Sequence, residues 1–274
     1  MSSVANLTTF TFTTVSVDLN GEIIDRQPGS AQCLTIRLNE QLDLDLVLIP
    51  SGTFMMGDAG HHTDERPIHQ VTLPSFSLGK YPITQAQYRA VMGENSPVSD
   101  GMDYPVEQIG WDDAMEFCTK LSQLTSRTCT LPSESQWEYA CRAGTSTAFY
   151  FGNTITPELV NYHGDYPYGG APQGENRGQA TPVGIFPPNA WGLYDMHGNV
   201  WEWCLDSYQA SYQGVPIDGS AWLDHSLPDR DLKQVMRGGS WDYVARGCRS
   251  AVRCSLAPGI RVNGCGFRVV IAIP

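Results

Sequence analysis

The sequence has little positive charge, no closely spaced cysteine pair and no long apolar run, and each shortage removes a class of function. Its 17 Lys and Arg stand against 29 Asp and Glu, a formal charge of -12. Phosphate binding draws its affinity from clustered Lys and Arg, so nucleic acid is not an expected partner. The eight cysteines, at 33, 118, 129, 141, 204, 248, 254 and 265, include no C-x-x-C pair. That takes away the usual spacing of zinc and thioredoxin-type sites and leaves mostly free thiols. The opening stretch MSSVANLTTFTFTTVSVDLNGEII has no basic start followed by an apolar run, and reads as neither a signal nor a transit peptide. No window approaches the roughly 18 apolar residues of a membrane span. The expectation is a cytoplasmic monomer without membrane insertion. Glycine-rich phosphate loops in a strand-to-helix context are missing as well.

What the chain does have is turn chemistry. Its 274 residues include 27 glycines and 18 prolines, which points to many turns and long loops rather than a helix bundle. TFTFTTVSVDLNGEIIDR alternates and then turns at Asn20-Gly21, a strong hairpin signal. Residues 1–45 read as a β-rich N-terminal extension and residues 46–274 as one α+β domain. Three helices are predicted. The first opens at Thr84 with Gln87 in capping-box spacing and stops at Gly93. The second covers about Trp111 to Leu124, with Ala114, Phe117, Cys118, Leu121 and Leu124 on one face. The third starts at Ser133, again with a capping box at Gln136, and runs to Gly144. Beyond Gly144 no long periodic segment remains until the terminal strands, and loops of that length inside a domain tend to be functional.

IPSGTFMMG, RPIHQVTLPSFSLGKYPITQAQYRAVM, YPVEQIGWDDAMEFCTKLS, LPSESQWEYACRAG, FPPNAWGLYDMHGNVWEWC, MRGGSW and GFRVV follow one another in a fixed order. In that order they resemble formylglycine-generating-enzyme-like domains, a loop-rich branch of the C-type lectin fold, over about residues 46–274. The resemblance implies an oxidase that binds copper through two closely spaced cysteines after the GGS strand, chemistry that needs two soft thiolates on one ion. Here the candidates are Cys248 and Cys254, with five residues between them, and GGSW is followed by Asp242 and Tyr243. The pair is misplaced, so no copper is expected and Cys248 reads as a packed thiol. His61, His62 and His69 lie in loop or strand surroundings, with no preceding iron-binding histidine domain of the kind used by a second enzyme branch.

The chain also resembles the variable proteins of diversity-generating retroelements, which end in RGGSW, a patchy hypervariable stretch and GFR. Their diversification rewrites adenines, commonly in AAC codons, and a codon ending in C never encodes Lys, Glu, Gln, Met or Trp. The 24 residues from Asp242 to Cys265 contain none of these five, where the chain's composition would place about four. The resemblance implies strands at RGGSW and GFRVV anchoring a variable surface between them. The positions expected to vary and bind are Asp242, Tyr243, Val244, Gly247, Val252, Cys254, Ser255, Leu256, Ile260, Val262, Asn263, Gly264 and Cys265. Arg246, Arg249, Ser250, Arg253 and Arg261 read as fixed scaffold, their guanidinium groups tying irregular backbone through carbonyls. Tyr243, Leu256 and Ile260 are expected to share one exposed patch.

Hard oxygen ligands around the Gly198-Asn199 turn suit calcium. The family resemblance implies one site at Asp195, Glu202 and the carbonyls of Gly198 and Val200, and a second at Asn161, the Tyr162 carbonyl, Glu175 and the Arg177 carbonyl. The aromatics of WEWC, together with Trp241, read as core rather than as a sugar platform. His163 and His197 read as structural. The expected function is non-catalytic binding of a protein or other macromolecule. The alternatives are a cysteine oxidase using Cys248 with Cys254, or a regulatory module for a neighbouring protease or kinase.

Overall fold

A computed structural model describes residues 7–93, 103–224, 226 and 232–272. The chain opens with a long antiparallel hairpin, β1 (Leu7–Val17) and β2 (Ile23–Asn39). At its turn Gly21 takes φ +89° and Asp18 Oδ1 accepts from the Asn20 and Glu22 amides. Strands β3 (Leu42–Ile49), β4 (Gly52–Met56), β5 (His69–Leu73) and β6 (Phe76–Gly79) follow. The helices are α1 (Gln85–Met92), α2 (Trp111–Thr125) and α3 (Glu134–Arg142), with β7 (Cys129–Thr130) before the last. The remaining strands are β8 (Trp201–Ser207), β9 (Gln234–Arg237), β10 (Cys254–Leu256), β11 (Cys265–Gly266) and β12 (Val270–Ala272).

Local sequence accounts for the helix limits. Thr84 and Ser133 both complete the capping boxes predicted for them, and Gly93 ends α1. The two sheets run β1-β2-β3-β6-β12-β7 and β10-β9-β8-β11, with β4 and β5 a separate ribbon. The boundary read at residue 45 falls inside β3, and β1 and β2 continue through it into the same sheet as β6 and β12.

Alternation along β3 sets up the core. Leu44 and Leu46 pack in one cluster with Tyr88 of α1 and Phe117 and Leu121 of α2, while Val47 and Ile49 pack with Trp137 and Ala140 of α3 in another. The sheet is therefore covered by α1 and α2 on one face and by α3 on the other. Phe267, between the last two strands, stacks edge-on to Phe117 at 5.2 Å and is fully buried. Burial of such a side chain contributes about 1.5–3 kcal/mol.

The RGGSW strand is shorter than the sequence implies. It ends at Arg237, because Gly238 (φ +97°) and Gly239 (φ +79°) turn the chain away. The segment after it is less irregular than expected. A 3-10 turn spans Ala245–Cys248, and β10 pairs antiparallel with β9, Cys254 opposite Met236 and Leu256 opposite Gln234.

Candidate functional site

The stretch from Asp242 to Cys265 is pinned to the body at both ends by Glu107. One carboxylate oxygen, Oε2, accepts from Trp241 Nε1 at 3.1 Å and from the Gly264 amide at 2.8 Å. The Trp241 amide also donates to Asn199 O, and the Trp201 amide to Gly264 O. Within this frame the arginines are held by carboxylates more than by carbonyls. Arg249 forms two bonds to Glu65, at 3.1 and 2.7 Å. Arg253 forms two to Glu134, at 2.6 and 2.8 Å, and its remaining arm donates to Asp64 O and Gln209 O. Arg237 joins Glu134 and Glu138 beneath them and donates to the carbonyls of Ser250 and Ala251. All of these groups are buried. A buried charge costs several kcal/mol unless paired, so the carboxylates and guanidiniums fix each other's positions. Arg246 and Arg261 were expected in the same scaffold but are exposed; Arg261 ties Gly259 and its neighbours to α2 through a bidentate bond to Asp113.

Above this frame lies a cavity of about 400 Å³ lined by Asp242, Tyr243, Val244, Arg246, Gly247 and Val252, with His62, Asp64, Trp201 and Arg253 completing it. A second, of about 810 Å³, is bordered by Ala257, Pro258 and Gly259 on one side and by Trp111, Met115 and Leu205 on the other. The stretch thus fronts two hollows rather than one patch.

Packing constrains several of the thirteen positions expected to vary, although Gly247 and Val252 still line the first cavity. Val252 (5% exposed) and Cys265 (1%) belong to the apolar core beside Phe117 and Phe267. A side chain on Gly247 would meet the Tyr243 ring at 2.1 Å, and Gly264 holds φ +68° with its Cβ position 3.0 Å from Ser240 Cβ. Leu256 is half-buried against the same core, in contrast with Tyr243 (44%) and Ile260 (45%). Asp242, Val262 and Asn263 are exposed, while Val244, Cys254 and Ser255 are half-buried. His62 and Asp64 are the lining residues that sequence reasoning missed. The signal for them was the charged run HHTDERP, with Glu65 buried under Arg249.

The two candidate cysteines sit in different surroundings. Cys248 is fully buried among Phe149, Phe151 and Tyr162, and burial pushes its thiol up to about 12. Cys254 packs against a different cluster and its thiol is likewise raised by burial. His197 is buried, its Nδ1 on the Cys248 carbonyl at 2.7 Å and its Nε2 accepting from the Tyr150 amide. Burial lowers its pKa to about 3, so it stays neutral.

The first calcium set does not fit. Both Glu202 oxygens accept from Arg268 at 2.6 Å, and Oε2 also from Trp137 Nε1, which places a guanidinium where the cation would sit. Asp195 keeps one unpartnered buried oxygen, and nothing in the structure bears on the carbonyls of Gly198 and Val200 as ligands. In the second set Asn161 fits, since its buried Oδ1 has no partner. The Tyr162 side chain is buried beside it, whereas the Glu175 carboxylate is turned outward to Arg177 at 3.0 Å. Among the described residues, one group of three or more possible metal-ligating side chains converges, Asp58, His61 and Glu65. Arg249 occupies both oxygens of that glutamate.

The two sheets, the capped helices and the glycine-turned loop frame define a loop-rich α+β domain of the C-type lectin type. The chain belongs to the sulfatase-modifying factor enzyme 1-like domain family, which it matches over residues 36–273. It is 31% identical to the formylglycine-generating enzyme of Bos taurus over 195 residues, 68% of this chain and 49% of the relative. It is 32% identical to the inactive C-alpha-formylglycine-generating enzyme 2 of the same organism, over 68% of this chain and 56% of the relative. The chain thus spans about half the length of these relatives. Among solved structures, the Treponema denticola variable protein 1 has the same fold, with a TM-score of 0.74 and 22% identity over 88% of this chain and 99% of that one. No helix of the described residues is long and apolar enough to cross a membrane.

Proposed function

We propose that this is a non-catalytic binding protein whose surface between Asp242 and Asn263 takes a protein or other macromolecular ligand and is diversified by a retroelement. The observation that carries the reading is the separation of layers in that stretch. Its Arg249 and Arg253 are fixed by Glu65 and Glu134 below, while Asp242, Tyr243, Ile260, Val262 and Asn263 are exposed above. Side chains on such a surface can be exchanged without leaving a buried charge unpaired. Active and inactive relatives are about equally similar, 31% and 32% identical, so similarity does not choose between oxidase and binder. The placement of the thiols supports the binder: a copper oxidase needs two converging thiolates, and Cys248 and Cys254 pack into different clusters. Eight free cysteines suit a reducing, cytoplasmic setting.

Two observations test this. A near-copy of the 3′ coding end beside a reverse transcriptase gene, differing only at adenines, is expected; its absence removes the diversification. Incubation with copper and a cysteine-containing sulfatase peptide should yield no aldehyde by mass spectrometry, and turnover lost in Cys248→Ser would overturn the non-catalytic reading. Calcium, if held, is held at Asn161: a calcium-dependent rise in Tm should vanish in Asn161→Ala and persist in Glu175→Gln.

A further inference from the structure

The described residues do not wholly cover the sheet face that carries α1 and α2. Past the end of α2 a groove of about 530 Å³ opens on it, lined by Leu7, Leu34, Leu48, Pro50 and Ile271 with Arg127 at one side. None of its lining residues belongs to the 242–265 stretch. Its floor is built by strand register: Leu48 of β3 lies opposite Ser77 of β6, and Ser77 opposite Ile271 of β12. Leu34 and Ile271 are part of the same apolar cluster as Phe117, so among the described residues the groove continues the core.

One cationic group, Arg127, lines the groove. Arg127 forms no ion pair or hydrogen bond through its guanidinium among the described residues, and no carboxylate lines the groove. Arg37, Arg142, Arg177, Arg237, Arg249, Arg253, Arg261 and Arg268 hold carboxylates; among the described residues Arg127 holds none, nor do Arg26, Arg66 and Arg246, and of these four it is Arg127 that borders this groove. Ser77, only 3% exposed, is set in the floor. Ligand sites are typically about 300–1,000 Å³, mostly apolar, with a few placed polar groups.

We propose that this groove binds a medium-chain fatty carboxylate. Its alkyl chain lies along Leu34, Leu48 and Ile271, and its carboxylate pairs with the Arg127 guanidinium. The fork geometry of arginine matches a carboxylate with two parallel hydrogen bonds. An apolar chain carrying a single anionic head satisfies both features of the groove, whereas a neutral or cationic amphiphile leaves Arg127 unmatched.

The test is displacement of a fluorescent polyene fatty acid from the full chain by dodecanoate, 1-dodecanol and dodecylammonium, each below its micelle concentration. Dodecanoate is expected to displace the probe at least tenfold more strongly than the other two. Arg127→Gln should weaken dodecanoate about tenfold and leave dodecanol unchanged. Leu7→Glu, at an exposed rim position, should weaken dodecanoate while the melting curve stays that of the parent. Probe that fails to bind, dodecanol as effective as dodecanoate, or affinities unaltered in both variants would overturn the proposal. So would tighter displacement by an apolar peptide with a free C-terminal carboxylate, or a dimer in sedimentation that binds no probe.

Discussion

Up to Arg142 the backbone is held by long ladders and capped helices, such as the antiparallel register of β1 on β2 and the boxes at Thr84 and Ser133. From there to Phe267, strands are short and much of the chain is tied by guanidinium groups reaching back to Glu65, Glu134 and Glu138 in the first half. Both halves bury apolar side chains and ion pairs, Glu138 with Arg142 in the first, but the path of the second depends more on charges that reach back to the first. A loop region can be as well determined as a sheet when buried donors outnumber its own acceptors and must find partners elsewhere.

The sharpest way to break that contrast is to remove the shared carboxylate. Glu134→Ala leaves Arg237 and Arg253 buried without their common partner, and should cost about 3–5 kcal/mol or prevent folding. Urea denaturation measures it, and a loss below 1 kcal/mol would mean the network is ornamental.

Protonation probes the same half. Burial pushes the Asp195 carboxyl up to about 6 from 3.8, with Glu202 adding like charge. The native state holds this proton more tightly than the unfolded chain. Its contribution is therefore fully present below pH 3.8 and is lost as pH rises through about 6. Asp195→Asn, which also suits the residue's φ of +55°, should raise stability at pH 7.5 by on the order of 2–3 kcal/mol and flatten the slope between pH 4 and 7. A steeper slope in the variant would contradict this account. A smaller effect is expected from Gly264→Ala, whose left-handed backbone and close approach to Ser240 should cost about 1–3 kcal/mol by thermal melting.

The same contrast explains what was legible in the sequence. Capping boxes, the α2 apolar face and the Asn20-Gly21 turn are local signals, and each element stands where they place it. The motif order also gave the fold family. The inside and outside of the 242–265 stretch were not legible, because they depend on partners far along the chain. Glu65 lies 184 residues before Arg249, and Glu134 lies 119 before Arg253. Val252 and Cys265 look like loop residues until Phe117 and Phe267 are seen beside them, and Gly247 looks replaceable until the Tyr243 ring is placed against it. The calcium set at Asp195 and Glu202 failed for the same reason, since Arg268 is 66 residues from Glu202.

Paired chemical denaturation of two variants tests most directly whether the stretch has an exchangeable outer layer on a fixed inner one. Replacing Ile260, Val262 and Asn263 together by Ser, all exposed, should change stability by no more than about 1 kcal/mol. Replacing Val252 and Cys265 together by Ser should cost about 3 kcal/mol or more, through lost burial and hydroxyls placed in the core. If the first variant unfolds as readily as the second, the outer layer is structural and the display surface does not exist.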